Sequence, residues 1–169
     1  MTLESIDQQG RTIFPNNGPI PQRFTCEGRE TSPPLAWSGV PASAQSLVLI
    51  VEDADAVDEN GYLLPAPWVH WVLYNIPPNA TLLEGGPLPA GTLEGVNGRG
   101  QTGYVGPCPP EKTGRHRYFH KLLALRVVLP DLDRPSKDAL LRYIRFKPEG
   151  ELTRIVASVD LVGTYDAPP

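Results

Sequence analysis

The sequence predicts a mainly β fold with little helix, and three observations lead there. Twenty prolines and sixteen glycines are scattered along the chain, not gathered in one block. They punctuate apolar segments as turns do, and they leave little room for long helices. The segments between them are rich in Val, Ile and Leu, which favours strands. Finally, 169 residues without a linker or repeat suffice for one buried core, so 1–169 is read as one domain.

The first strand is expected over Ser46–Asp53 (SLVLIVED). It is continuously apolar, as a strand buried on both faces must be. It closes on an acidic pair, Asp53 and Asp55, with Ala54 between. Trp68–Ile76 (WVHWVLYNI) reads as a second buried strand, stopped by Pro77 and Pro78. Arg117–Leu129 is a third, stopped by Pro130, and Arg154–Tyr165 a fourth. One helix is expected over Pro135–Phe146, with Leu140, Tyr143 and Ile144 on one face and Arg142 and Arg145 off it. Pro135 suits a first turn and Pro148 prevents extension. Asp55–Pro67 and Gly85–Thr113 read as irregular, the second excluded from regular structure by its Gly and Pro residues. Long loops of this kind are commonly functional.

Composition narrows the class. Apolar residues make up 40% of the chain, charged residues 20%, and the net charge is −4. A mild negative charge argues against a sequence-independent nucleic-acid binder, which needs a basic face. No basic stretch leads into an apolar run at the N-terminus, and no apolar run approaches the ~20 residues that span a bilayer. The expected compartment is the cytoplasm. Cys26 and Cys108 lie far apart in sequence and outside any CxxC pattern, so they read as small packed residues and no disulfide is expected.

The chemistry-bearing residues are few. Asp53 closes a strand, and His70 interrupts an apolar, aromatic one. His116 and Tyr118 lie two apart at the start of another, hence on one face, and His120 shares their parity. His70 alone reads equally well as a hydrogen-bonded core residue. Two histidines near a carboxylate, with a Tyr hydroxyl and free backbone N–H groups, could accept a phosphate or carboxylate. The stretch GYVGPCPP, Gly103–Pro110, is stiff and short of N–H donors, which suits a fixed pocket wall or a plain surface turn.

In this order, SPPLAWSGVP (Ser32–Pro41), LVLIVEDADA (Leu47–Ala56), WVHWVLYNIP (Trp68–Pro77), GYVGPCPP, GRHRYFHKLLAL (Gly114–Leu125) and LVGTY (Leu161–Tyr165) resemble the phosphatidylethanolamine-binding protein family. The bacterial branch named Raf-kinase-inhibitor-like is the more similar. The resemblance implies a large antiparallel sheet packed on a smaller one, few helices, and a pocket at one end of the large sheet for anionic head groups. The family's Asp-Pro-Asp-Ala-Pro is Asp53-Ala54-Asp55-Ala56-Val57 here. Its Trp-x-His falls on Trp68 and His70, its Gly-x-His-Arg-Tyr on Gly114, His116, Arg117 and Tyr118, and its glycine-proline wall on Gly106 to Pro110.

The candidate ligand-binding set is therefore Asp53, Asp55, Trp68, His70, Gly106, Cys108, Pro109, Pro110, His116 and Tyr118. His116 and backbone N–H groups near Gly106 and Cys108 are expected to donate to the anion, with His70 donating from the opposite wall. Asp53 is expected to hold one histidine or meet a ligand amine. Tyr118 would donate its hydroxyl or form the floor, while Trp68 and the prolines exclude water. The function expected is non-catalytic binding of a phosphate- or phosphoethanolamine-type ligand, with no cofactor and no metal. Regulation of a kinase-like partner and a homodimer follow by analogy alone. The alternatives are a small-ester hydrolase or a metal-dependent enzyme. His70, His116, His120 and Asp53 could ligate zinc or iron, but neither an HExxH spacing nor a GxSxG elbow is present.

Overall fold

Four long strands frame the molecule, whose computed structural model describes residues 1–146 and 152–169. They are β5 (Ser46–Asp53), β6 (Trp68–Ile76), β9 (Arg115–Leu125) and β10 (Ile155–Asp166). With the short β3 (Gly18–Pro19) and β8 (Leu93–Glu94) they form a six-stranded sheet in the order β3-β10-β9-β5-β6-β8. Pairing is antiparallel throughout, except that β3 runs parallel to β10. A four-stranded sheet, order β2-β1-β4-β7, is built from β1 (Thr2–Ile6), β2 (Thr12–Phe14), β4 (Leu35–Ser38) and β7 (Leu82–Leu83). The helix α1 spans Lys137–Arg145. None of the described helices is long and apolar enough to cross a membrane.

The large sheet is covered on both faces. Leu47, Leu49 and Val51 of β5 point into the core between the sheets, with Phe14, Trp37 and Leu122. Val48 and Ile50 point to the other side, onto Leu140 and Ile144 of α1. Every residue of β5 is buried, which is why its central run, Leu47 to Val51, is continuously apolar instead of alternating. The same pleat sends the last two acids of β5 to opposite faces, Asp53 with the odd positions and Glu52 with the even ones.

Several boundaries differ from those expected. The helix begins after Ser136, whose hydroxyl accepts from the Ala139 N–H at 3.2 Å and caps it, so Pro135 stands before the cap and not in the first turn. Tyr143 is partly exposed beneath the Arg154 guanidinium, and Leu141 packs toward the sheet in its place. Pro148 lies outside the described residues. Strand β9 ends at Leu125, not Leu129, because the Asn75 side chain takes over both polar groups of Leu129, donating to its carbonyl at 2.7 Å and accepting from its N–H at 2.9 Å. Within Gly85–Thr113, Leu93 and Glu94 do pair, with Tyr74 and Leu73.

The cysteines are a plain correction. Cys26 and Cys108 form a disulfide across 82 positions, with Cα atoms 5.4 Å apart. The Cys26 N–H also donates to the Pro107 carbonyl at 3.0 Å. Distance along the chain says nothing of distance in space when a β fold brings loops together at one end of a sheet.

Candidate functional site

At the end of the large sheet, where β5 finishes and β9 begins, a cavity of about 320 Å³ opens. Register places Asp53 opposite Trp68 on one side and Tyr118 on the other. A bulge then adds His70. Val51 pairs with Trp71 and Glu52 with Val69, so His70 is the extra residue of β6. Strict alternation from Trp71 would aim His70 at the helix side. The bulge instead leaves Val69 there and brings His70 beside Trp68 and Tyr118, with ring centroids at 4.5 and 5.2 Å, edge-on in both cases.

His116 is the centre of a buried relay. Its Nδ1 meets the Asp53 carboxylate at 2.7 Å, and both side chains are buried. Its Nε2 meets the Thr113 hydroxyl at 2.9 Å, and that hydroxyl donates to the Pro110 carbonyl at 2.6 Å. A carbonyl only accepts, so the hydroxyl proton lies toward Pro110 and the Thr113 oxygen accepts from His116. Both ring nitrogens of His116 are thereby donors, and the ring stands as an imidazolium against Asp53.

His70 is held in the opposite state. Its Nδ1 lies 2.7 Å from the Val105 carbonyl and must donate to it, while the Val105 N–H returns a bond to the His70 carbonyl at 3.0 Å. Burial, more than any neighbour, lowers its pKa to about 4. The ring is neutral near pH 7, so its Nε2 accepts, and the donor role expected of it is not the one the hydrogen bonds support.

The Cys26–Cys108 bridge fastens the wall facing these rings. Gly106 is required there, since a Cβ would lie 2.6 Å from the Phe24 carbonyl oxygen. Among the described residues the N–H groups of Gly106 and Cys108 have no protein acceptor. Across the mouth, the Trp68 indole lies over Gly98, where a Cβ would come within 2.2 Å of the ring.

Of the expected site residues, Asp53, Trp68, His70, Gly106, Cys108, Pro109, Pro110 and His116 line the cavity. Asp55 does not. It accepts both the Nε and Nη2 of Arg117 at 2.8 Å, and that guanidinium holds its carboxyl below the usual range. Tyr118 is fully buried between the two histidines, and its hydroxyl has no hydrogen-bond partner among the described residues. Burial, then the nearby Asp53 charge, raises its pKa. His120 lies deeper, against Phe14.

Two contributors escaped sequence reading. Arg99 lines the cavity from a turn organised by Asn97, whose side chain accepts from the Arg99 N–H at 2.9 Å and donates to the Gly103 carbonyl at 3.0 Å. The Asn-Gly-Arg-Gly stretch signals a turn, but nothing in it says that the turn faces a site. Thr113 was hidden in the same way, as one residue of a loop whose partner, His116, was already in view.

A two-sheet β domain with a small, histidine-lined cavity at a sheet end is the architecture of a ligand-binding module. The phosphatidylethanolamine-binding protein model matches residues 10–155, and the chain belongs to that family. A UPF0098 protein of Methanothermobacter thermautotrophicus is 43% identical over 157 residues, covering 90% of this chain and 93% of its own. Among solved structures, the phosphatidylethanolamine-binding protein homolog CT736 of Chlamydia trachomatis superposes with a TM-score of 0.78 at 37% identity, covering 97% of each chain. YbcL of E. coli gives 0.74 at 30% identity, over 90% of this chain and 93% of its own.

Proposed function

We propose that the cavity binds a small oxyanion of the phosphate or phosphoethanolamine type and does not turn it over. The observation that carries this reading is the Thr113–His116–Asp53 relay, which fixes a buried positive ring at the cavity wall. Three further donors support it: the Arg99 guanidinium and the uncommitted N–H groups of Gly106 and Cys108. Charge-assisted donors in a site partly shielded from water are the strong ones. A hydrolytic role finds less support, because Cys108, the lining residue with nucleophilic chemistry of the thiol kind, is tied in the disulfide.

Titration with phosphate or O-phosphorylethanolamine tests this, followed by calorimetry or by the fluorescence of Trp68 at the cavity edge. Saturable binding that is lost in His116→Ala supports the reading, and equal binding by His116→Ala and wild type rejects it. Turnover of generic phosphate or carboxylic esters, abolished by His70→Ala, would replace it with an enzymatic one. Cytoplasmic residence is set against the Cys26–Cys108 bridge, since disulfides persist mainly in oxidising compartments. Thiol trapping of the protein from intact cells decides between the two.

A further inference from the structure

We infer that the Cys26–Cys108 bridge is a redox switch on the cavity: a dithiol reductant opens it, and the Cys108 sulfur so released engages, as a thiolate, the cationic groups that an incoming anion needs. The inference rests on the proposed anion site and adds the means by which that site is turned off.

The bridge stands where a reductant can reach it. Cys108 is exposed at the cavity wall, and Cys26 is half-buried. Exposed disulfides are the labile and regulatory ones, and a disulfide whose reduced form is stabilised opens the more easily. Here the reduced form gains contacts that the bridge denies it. Arg99 and the His116 imidazolium line the same cavity as Cys108, and the Cys108 N–H has no protein acceptor among the described residues. Positive charge of that kind favours a thiolate over a thiol.

The exchange needs only the dithiol. Its thiolate attacks the Cys26 sulfur, the Cys26–Cys108 bond breaks, and Cys108 leaves as a thiolate into the cationic surroundings that make it the better leaving group. The second thiol then closes on the mixed disulfide and gives its proton to the departing Cys26 sulfur. The dithiol ends as a disulfide, oxidised by two electrons, and the bridge takes those electrons up.

The opened wall stays beside the cavity. The Cys26 N–H donates to the Pro107 carbonyl at 3.0 Å, the Tyr104 hydroxyl donates to the Phe24 carbonyl at 3.2 Å, and Gly106 packs against the backbone of Phe24 and Thr25. The Cys108 sulfur is thus held where it can act, and where it can close again on oxidation. The other ionisable groups nearby do not cancel its effect. Asp53 is committed to His116 and the neutral His70 to the Val105 carbonyl. Glu27 is tied to Gln22 and Tyr165, and Glu30 lies 3.6 Å from Arg99 in a loose pairing. Reduction therefore does more than loosen the wall: it places a negative charge inside an anion site.

The test is calorimetry with inorganic phosphate on the full chain: oxidised, reduced with excess dithiothreitol, as Cys26→Ser, and as the double variant Cys26→Ser, Cys108→Ser, each checked for native circular dichroism. The double variant reports the loosened wall without a thiol. At about pH 8, reduced wild type and Cys26→Ser are expected to bind at least roughly tenfold more weakly than the double variant, and reoxidation is expected to restore the affinity of wild type. Ultraviolet titration of Cys26→Ser is expected to show its thiol ionising in a more acidic range than free cysteine, with the gap to the double variant closing as that thiol takes up its proton. Comparing the proteins at each pH cancels the ionisation of the phosphate itself. Reduced wild type binding within about threefold of the double variant would overturn the inference while leaving the anion site standing, as would a bridge that dithiothreitol opens only in denaturant. Failure of the natively folded, oxidised protein to bind phosphate would remove the site and the inference together.

Discussion

Glu52 and Asp53 are neighbours on one strand, both acidic and both almost fully buried, yet they do different things. Glu52 faces the helix side, where Lys121 meets one carboxylate oxygen at 2.6 Å and Lys137 the other at 2.8 Å. Desolvation opposes its charge, but the two ammonium groups prevail and hold the carboxyl below its usual range. Asp53 faces the cavity and spends one oxygen on His116 and the other on the Asp55 N–H at 2.8 Å. Saturation by flexible lysines makes an anchor for α1, since Lys137 is its first residue. Pairing with a ring that also lines a cavity makes a site. Burial and charge alone do not separate the two cases, but what the counterion touches next does.

The largest effect that sharpens this contrast is that of acid. The pKa of His70 and His120 lies at about 4 in the folded protein, against 6.5 ordinarily. Above pH 6.5 both rings are neutral in the folded and unfolded chain. Between 6.5 and about 4 the unfolded chain takes up protons that the folded one refuses, so stability falls as pH drops, by about 1.4 kcal/mol per unit and per ring. Glu52 acts lower, its contribution present above the ordinary value of 4.5 and lost as pH falls below it. Urea unfolding at stepped pH should show the first limb roughly halved in His120→Gln, and an unchanged limb would mean that the buried His120 ring is not acid-sensitive.

How much of this was legible in the sequence follows from the same two faces. Strand β5 was readable to the residue because burial on both sides makes the run from Leu47 to Val51 continuously apolar. Strand β9 was readable in its parity, since His116, Tyr118 and His120 do share the buried face. His70 was found only as an oddity in an apolar run. Its direction depends on a bulge, and a bulge is a property of two strands that neither states alone. The disulfide and Arg99 were illegible for a related reason: both belong to loops whose meeting is set by the sheets beneath them. The smaller sheet, made of strands two to five residues long, left too little periodicity to read from residues, and the family resemblance supplied it.

Next in size is the cavity wall. The Cys26–Cys108 bridge closes a loop of 82 positions, and chain-entropy arguments give such a loop about 4 kcal/mol. The double variant Cys26→Ser, Cys108→Ser should lose about that much in urea unfolding, and its phosphate affinity should drop several-fold as Gly106–Pro110 loosens. Undiminished affinity would show that the prolines and the Cys26 N–H bond to Pro107 hold the wall without the bridge.

Asp53→Ala comes third. Removing one member of a buried pair leaves the His116 ring charged without its partner, at a cost of about 3 kcal/mol. Phosphate binding should fall at least roughly tenfold, because the His116 ring loses the carboxylate that holds its Nδ1 and fixes its orientation at the cavity wall. Calorimetry at matched fractions of folded protein separates the two consequences. Binding as tight as wild type would erase the distinction drawn between Asp53 and Glu52.

Glu52→Gln has the smallest effect and is the sharpest test of that distinction. The amide keeps the shape of the side chain and can still accept from one lysine, but it turns a donor toward the other. Lys121 is more than one-third exposed and can swing into water, so its loss is slight. Lys137 is largely buried and cannot, so most of the cost falls on the start of α1. Stability should drop by about 1 to 2 kcal/mol. Phosphate affinity should stay within about twofold of wild type, because the side chain points away from the cavity and shares no partner with it. The strand between the two faces carries only their backbone. A tenfold change in affinity would therefore mean that the helix side and the cavity side move together, and that Glu52 belongs to the site after all.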